Sequence, residues 1–185
     1  MDAARMNNGL YTIDDIYALP EGEKAELIKG ELYMMASPSR MHQDISQFMS
    51  LELGMYIRNK GGGCKVYSDS TALYLFADDS TYLEPDVMVV CDKDKLTDKG
   101  VSGAPDFIIE IASPSSIQMD YVRKAALYLE AGVKLYWIIN PDSKVSEVLV
   151  HNFEAKTMNR YSINDSIPVE IYDDLVIDLS NMDLS

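Results

Sequence analysis

Basic residues are scarce in this 185-residue chain: 16 Lys and Arg stand against 30 Asp and Glu, a net charge of −14 with both histidines neutral. A field of one sign repels phosphate backbones at long range, which counts against a generic nucleic-acid binder that works by counterion release. Contact with a polyanion would need a local basic patch or a metal. Cysteine is scarcer still. Cys64 and Cys91 are too few for a disulfide framework and lack the paired spacing of a zinc site, so both are expected to be reduced and buried. No stretch approaches the ~20 apolar residues of a membrane span, and Met1 to Thr12 holds no apolar run of the signal-peptide kind, so a cytoplasmic protein without membrane contact is expected. Repeats and low-complexity linkers are missing too. What is present is a 47% hydrophobic composition, enough apolar area to offset conformational entropy. A chain of this length can bury about 70% of its unfolded surface, so a single globular domain over residues 1–185 is expected.

Thr12 is a good N-cap, and Ile13, Ile16 and Tyr17 follow at helical spacing, so a short helix is expected, ended by Pro20. Glu26 to Met35 holds two short apolar runs around Lys29-Gly30, where glycine can supply the positive φ of a tight turn, and reads as a β-hairpin. Ser37-Pro38-Ser39 signals a helix start, and Ile45, Phe48, Met49, Leu53 and Tyr56 carry that helix to about Arg58, before Gly61 to Gly63. Cys64 to Phe76 and Tyr82 to Val90 flank the turn at Ala77 to Ser80 in the manner of a second hairpin, and Asp92 to Gly103 reads as polar and mobile. Phe107 to Ala112 is nearly all apolar, as in a strand covered on both faces. Helix formers run from Asp120 to Ala131, with Gly132 as C-cap. Leu135 to Ile139 is another buried strand, and beyond the Pro141-Asp142 turn Val145 to Val150 returns as its antiparallel partner. The acidic remainder, to Ser185, reads as short strands and loops. These elements make an α+β (or α/β) domain with a central mixed β-sheet flanked by helices.

Glu110 is the most informative residue, because burying an ionised carboxylate costs several kcal/mol unless a metal, a cation or hydrogen bonds compensate it. Alternation puts Phe107, Ile109 and Ile111 on one face and Ile108, Glu110 and Ala112 on the other. A helix N-terminus or an arginine could answer the charge. Asp86 follows Glu84-Pro85 and opens the run Val87 to Val90, so it is either a plain Pro-Asp turn or a second carboxylate at the start of a buried strand. Two carboxylates at sheet positions can chelate one Mg²⁺ or Mn²⁺, hard cations that prefer oxygen and keep several waters. Lys124 forms an i, i+4 pair with Asp120, worth a few tenths of a kcal/mol if solvated. Its helix begins soon after the Glu110 strand, which also puts a cation within reach of the two acids. Two other motifs fail on their chemistry. Gly61-Gly-Gly-Cys-Lys65 follows a helix and lacks the spacing and the Ser or Thr of a phosphate-binding loop, and nothing places His42 or His151 beside Ser113-Pro-Ser-Ser116.

In chain order, Glu84-Pro-Asp-Val-Met-Val-Val90, Ala104-Pro-Asp-Phe-Ile-Ile-Glu-Ile-Ala-Ser-Pro-Ser-Ser116, Asp120 with Arg123-Lys124, Tyr128, Ala131-Gly-Val133 and Tyr136-Trp-Ile-Ile-Asn-Pro141 resemble the putative restriction endonuclease family. This is a bacterial branch of the PD-(D/E)XK nuclease superfamily. Glu26-Leu-Ile-Lys-Gly-Glu-Leu32 and Ser37-Pro-Ser with His42 match it as well, so the resemblance spans about residues 20–142 and leaves an acidic, β-rich extension over 143–185.

The resemblance implies a restriction-endonuclease-like core with extra N- and C-terminal β-hairpins. It makes Asp86 and Glu110 ligands for Mg²⁺ or Mn²⁺. The superfamily's lysine ordinarily lies two residues beyond the second acid, where this chain has Ala112, and the family's shift of that lysine to the next helix matches Lys124. Glu26 matches an upstream acid counted with the site, and His42 a histidine at the start of the first core helix; a hairpin charge and a helix-end packing residue are their plain alternatives. Gln118 and Tyr128 could support the site from behind. The implied activity is metal-dependent hydrolysis of DNA phosphodiester bonds, leaving a 5′-phosphate and a 3′-hydroxyl, and a homodimer is plausible. Two readings stay open beside it: a catalytically inactive binding or regulatory module, favoured by Ala112 and the charge, and a metallohydrolase of small phosphoesters. For a DNA substrate, Arg40, Arg58, Lys60, Lys65, Arg123, Lys124 and Lys134 should include a basic rim near the metal.

Overall fold

The computed structural model describes residues 10–68, 70–114, 116–142 and 144–182; the leader expectation at Met1 and the middle of the Ser113 to Ser116 turn lie partly outside them. Helix α1 (Ile13–Tyr17) begins at Thr12, which shares a capping box with Asp15, and is followed by hairpin β1 (Ala25–Ile28) and β2 (Glu31–Met34). Helix α2 (Arg40–Asn59) starts where Ser39 accepts the His42 N–H, satisfying one of its free N-terminal donors. Strands β3 (Lys65–Ser68), β4 (Leu73–Tyr74), β5 (Val87–Val90), β6 (Leu96–Thr97), β7 (Gly100–Ser102) and β8 (Phe107–Ile111) come next. A wide turn of π type (Met119–Lys124) then feeds helix α3 (Ala125–Ala131), which Gly132 ends in the left-handed region at φ 89°. Strands β9 (Leu135–Asn140), β10 (Glu147–Asn152) and β11 (Thr157–Ser162) and the hairpin β12 (Ser166–Pro168) and β13 (Val176–Asp178) complete the chain.

Six strands form the central sheet, in the order β11-β10-β9-β8-β5-β3. Within it β8 and β9 are parallel and the other neighbours antiparallel, so the sheet is mixed, as expected. The parallel pair requires a crossover, and the π turn and α3 supply it. Alternation then assigns the faces. Val87, Val89, Phe107, Ile109, Ile111 and Trp137 pack with Ile45, Met49, Leu53 and Ile57 of α2, while Met88, Ile108, Tyr136 and Ile138 pack with Leu127 and Tyr128 of α3. The C-terminal segment takes part in the core: Ile163, Ile167, Val169, Leu175, Ile177 and Leu179 join the α2-side cluster.

Three expectations need correction. The stretch from Cys64 to Val90 is not one hairpin: β3 pairs with β5 in the sheet, but β4 between them leaves to pair in parallel with β7. The antiparallel β3–β5 ladder and the isolated antiparallel bridge Leu73–Leu83 join the two arms across the turn at Ala77 to Ser80. Asp92 to Gly103 is folded, through a 3₁₀ turn at Lys93–Lys95 and the β6–β7 hairpin, because Val101 is buried to 1% exposure against the α3-side core. Gly100 permits this close approach: it sits at φ 144°, and a Cβ there would lie 2.3 Å from the Ala72 carbonyl oxygen. Gly100→Ala is therefore expected to lower stability by about 1–3 kcal/mol, read as a lower urea midpoint at unchanged m-value.

The third correction concerns the cysteines, which are disulfide-bonded rather than reduced and buried. Lys65 pairs with Val90 in the β3–β5 register, so the residues just outside that pair, Cys64 and Cys91, meet across the strands with Cα atoms 3.9 Å apart. Cys91 is exposed. Among the described residues no helix is long and apolar enough to cross a membrane.

Candidate active site

Strands β5 and β8 bring the two expected carboxylates together. Val87 pairs with Ile109, and continuing that register by one residue sets Asp86 opposite Glu110. Asp86 is fixed from several sides. The Ile111 N–H donates to its Oδ2 at 2.7 Å, His42 Nε2 from the first turn of α2 lies 3.1 Å from the same oxygen, and the Ser46 hydroxyl donates to its carbonyl at 3.3 Å. Asp86 and His42 keep 16% and 17% side-chain exposure and form the open edge of the site.

Glu110 lies deeper, at 3% exposure, and its Oε1 accepts from Lys124 Nζ at 2.9 Å and from the Tyr128 hydroxyl at 2.7 Å. Both donors come from the crossover, whose chain must run back across one face of the sheet to reach β9. Lys124 Nζ also donates to Glu26 of β1 at 2.9 Å and stands 3.9 Å from Asp120. Glu26 Oε1 additionally accepts the Glu84 N–H at 3.1 Å, which ties the N-terminal hairpin to the approach to β5. Lys124 and Asp120 share the wide turn, a feature frequent at functional sites, and both point inward, at 5% and 2% exposure.

The electrostatics follow from one ammonium shared among several buried acids. Burial pushes the Glu110 carboxyl well above its ordinary range; Lys124 opposes that, and Asp86, Asp120 and Glu26 add to it. Asp120 is pushed up to about 6 by burial, against the pull of Lys124 and a Ser116 hydrogen bond. For Lys124 burial favours the neutral amine, but Glu110, Glu26 and Asp120 outweigh it and hold the ammonium well above its usual value. Burial, then Glu110, raises the Tyr128 hydroxyl well above its own.

Asp86, Glu110, Lys124, Glu26 and His42 thus fall into one contiguous constellation. Ala112, where the superfamily's usual lysine would stand, is buried at 4% exposure, and Gln118 is exposed. Asp120, which the sequence offered as half of a helix salt bridge and as part of the family resemblance but not as a site residue, is buried at 2% exposure beside Lys124. Among the described residues no cluster of three or more His, Cys, Asp or Glu side chains is arranged as a metal cage. The basic residues do not form a continuous rim. Arg40 pairs with Asp44 at 2.7 Å on α2, Lys134 with Asp106 at 2.8 Å, and Lys60 with Asp174. Arg58 follows His42 by sixteen helical residues, about 24 Å along α2. Of the seven, Lys124 contacts the inner acids, Arg123 beside it pairs with Glu31, and Arg40 lies two residues before His42 in the first turn of α2.

Asp86 and Glu110 thus face each other across adjacent strands of a mixed sheet with a helical crossover, as the resemblance to restriction endonucleases leads one to expect. The Uma2 family model, described as Putative restriction endonuclease, matches residues 13–179, so the chain belongs to that family. The match extends past both ends of the 20–142 core. The chain has the same fold as a solved putative nuclease belonging to DUF820 from Anabaena variabilis ATCC 29413, with a TM-score of 0.73 over 92% of this chain and 96% of that one, at 20% identity. Two curated relatives come from Synechocystis sp. (strain ATCC 27184 / PCC 6803 / Kazusa). Uncharacterized protein sll1609 is 29% identical over 57% of this chain and 59% of its own length, and Uncharacterized protein slr1290 is 26% identical over 70% and 66%. The chain spans about three fifths to two thirds of the length of these relatives.

Proposed function

We propose that this chain is a divalent-metal-dependent endonuclease that hydrolyses phosphodiester bonds of DNA, with Asp86 and Glu110 holding Mg²⁺ or Mn²⁺. The observation that carries this reading is the facing of Asp86 and Glu110 across β5 and β8 with Lys124 delivered to the same point. Glu26, Asp86, Glu110 and Asp120 together outnumber Lys124 and His42, and such excess negative charge at a partly dry site is what a hard cation neutralises. The hydrogen bonds described above use Asp86 Oδ2 and Glu110 Oε1, so Oδ1 and Oε2 are the oxygens suited to a cation that otherwise keeps its waters. Bound there, the ion would polarise a phosphate and lower the pKa of a water.

The chain's own residues supply the rest. Lys124 places a fixed positive charge beside Glu110, where negative charge develops on a phosphate under attack. The Tyr128 hydroxyl holds Glu110, and His42 and the Ile111 N–H hold Asp86, so neither carboxylate must reorganise. In-line attack by water would leave a 5′-phosphate and a 3′-hydroxyl. With one such site per chain, a homodimer would place two sites for the two strands of a duplex. A DNA substrate also argues for the cytoplasm, where the Cys64–Cys91 bond would have to persist against reducing thiols.

The scattered cations favour a second reading, a metal-dependent hydrolase of small phosphoesters. Plasmid, single-stranded DNA and bis-(p-nitrophenyl) phosphate, each with Mg²⁺, with Mn²⁺ and with EDTA, separate the two. The endonuclease reading expects nicked and linear plasmid with metal and none with EDTA. Turnover of the small ester alone would favour the second reading, and cutting unaffected by EDTA would contradict both.

A further inference from the structure

Arg123 precedes the buried Lys124 and points the other way, to solvent. Its Nη1 lies 2.8 Å from Glu31 Oε2 and also donates to the Tyr33 hydroxyl, and its guanidinium sits 5.3 Å from the centre of the Tyr33 ring. The hairpin register gives this contact its location. Glu26 and Tyr33 are direct cross-strand partners, so their side chains leave β1 and β2 on the same face, and Glu31 shares that face two residues away. Two successive cations of the wide turn are thus gripped by two paired residues of one hairpin: Lys124 by Glu26 inside the site, Arg123 by Tyr33 at its rim. The Arg123–Glu31 pair is half exposed, at 50% and 61%, whereas Lys124 and Glu26 are each at 6%.

An exposed ion pair of this kind adds little stability and is easily exchanged. Guanidinium is suited to that exchange, since its planar fork binds a carboxylate or a phosphate in the same geometry, and the Tyr33 ring and hydroxyl beside it limit its freedom. We propose that Arg123 is a substrate-binding residue, which takes a backbone phosphate flanking the scissile bond, and that the Glu31 carboxylate occupies it while no nucleic acid is bound. This rests on the endonuclease reading and adds to it a named strand contact at the edge of a site otherwise walled by acids. It also gives Glu31 a role as a competitor: in a chain of −14 net charge, one carboxylate placed on the binding cation discourages loose association with polyanions.

The test is the affinity for fluorescein-labelled single-stranded and duplex oligonucleotides, by fluorescence anisotropy with Ca²⁺ as the cation over a range of salt, alongside plasmid cleavage with Mg²⁺. Arg123→Ala should weaken binding about tenfold, the loss of one charge-assisted phosphate contact, and reduce the slope of log K against log salt by about 0.7 for single strands and 0.9 for duplex. Glu31→Gln should act in the opposite direction and tighten binding severalfold. Lys29→Ala breaks the other exposed hairpin-to-helix pair, with Glu130 at 2.7 Å, and should leave affinity unchanged. In cleavage, Arg123→Ala should raise KM with kcat preserved. An unchanged salt slope in Arg123→Ala, or weaker binding in Glu31→Gln as well, would make the pair a structural brace and overturn the proposal. Wild-type protein that cuts DNA with Arg123→Ala indifferent fails this inference alone; wild-type protein that neither binds nor cuts fails the endonuclease reading and this inference with it.

Discussion

Lys124→Met is expected to destabilise the fold by about 3–5 kcal/mol at neutral pH, the range found when one partner of a buried ionic network is removed. Lys124 makes ion pairs of 2.9 Å with both Glu26 and Glu110 and stands 3.9 Å from Asp120, and methionine fills its volume but leaves those acids with no ammonium. The loss therefore measures stranded charge rather than a cavity. Its pH dependence identifies the cause. Asp120 has a folded-state pKa raised from 3.8 to about 6, so the folded chain binds this proton more tightly than the unfolded one. For an acid raised in this way, stability is greatest below the unfolded value and is lost as pH rises from 3.8 through about 6. Without Lys124, which pulls the Asp120 pKa down, that window should extend upward, and the deficit of Lys124→Met should shrink as the pH is lowered from 7.5 to 5. Neutralising the acids should act similarly, so Glu26→Gln with Glu110→Gln should restore part of the loss. A deficit that is constant with pH in chemical unfolding would show that lost packing, not stranded charge, is responsible.

Glu110→Gln is expected to abolish most nuclease activity while leaving the fold intact. The amide oxygen can still accept from Lys124 and Tyr128, which now bond Oε1 at 2.9 and 2.7 Å, and no buried charge is added. What is lost is the anionic oxygen proposed to hold the metal. Changes in the outer shell of metal sites cost about 10–100-fold, so loss of a ligand should reduce kcat by at least about a hundredfold. The unfolding midpoint should be unchanged or higher, since burial disfavours the ionised Glu110. His42→Ala, one step further out through its 3.1 Å contact with Asp86, should fall between this variant and wild type. Activity within a fewfold of wild type in Glu110→Gln, at unchanged stability, would remove Glu110 from the chemistry.

The sheet and its helices were legible in the sequence wherever apolar residues recur with a clear period. The run around Glu110 reads as a strand covered on both faces, and Phe107 to Ile111 is buried throughout. The acid within it could be singled out because charge in such a run demands compensation. What sequence could not show was the distant contact that supplies it. The Lys124–Glu26 pair joins residues 98 apart, and only the resemblance brought Glu26 and His42 into consideration. Cys64 and Cys91 gave no spacing signal, because their meeting depends on the β3–β5 register. Val101 was hidden in a polar context, where its buried side chain and the close approach of Gly100 to Ala72 tie the segment to the core. In the C-terminal part, acids at the surface masked alternate apolar residues such as Ile167 and Ile177, both fully buried against the α2-side core.

Titration of the metal-free protein with Mn²⁺ tests the central claim most directly, because it asks for the cation at Asp86 and Glu110 without requiring a correct choice of substrate. Calorimetry should show saturable binding to the wild type, with both Asp86→Ala and Glu110→Ala losing it and Gln118→Ala, at an exposed position outside the network, retaining it. Mn²⁺ binding of equal strength in wild type and both acid variants would contradict a metal centre at these two carboxylates.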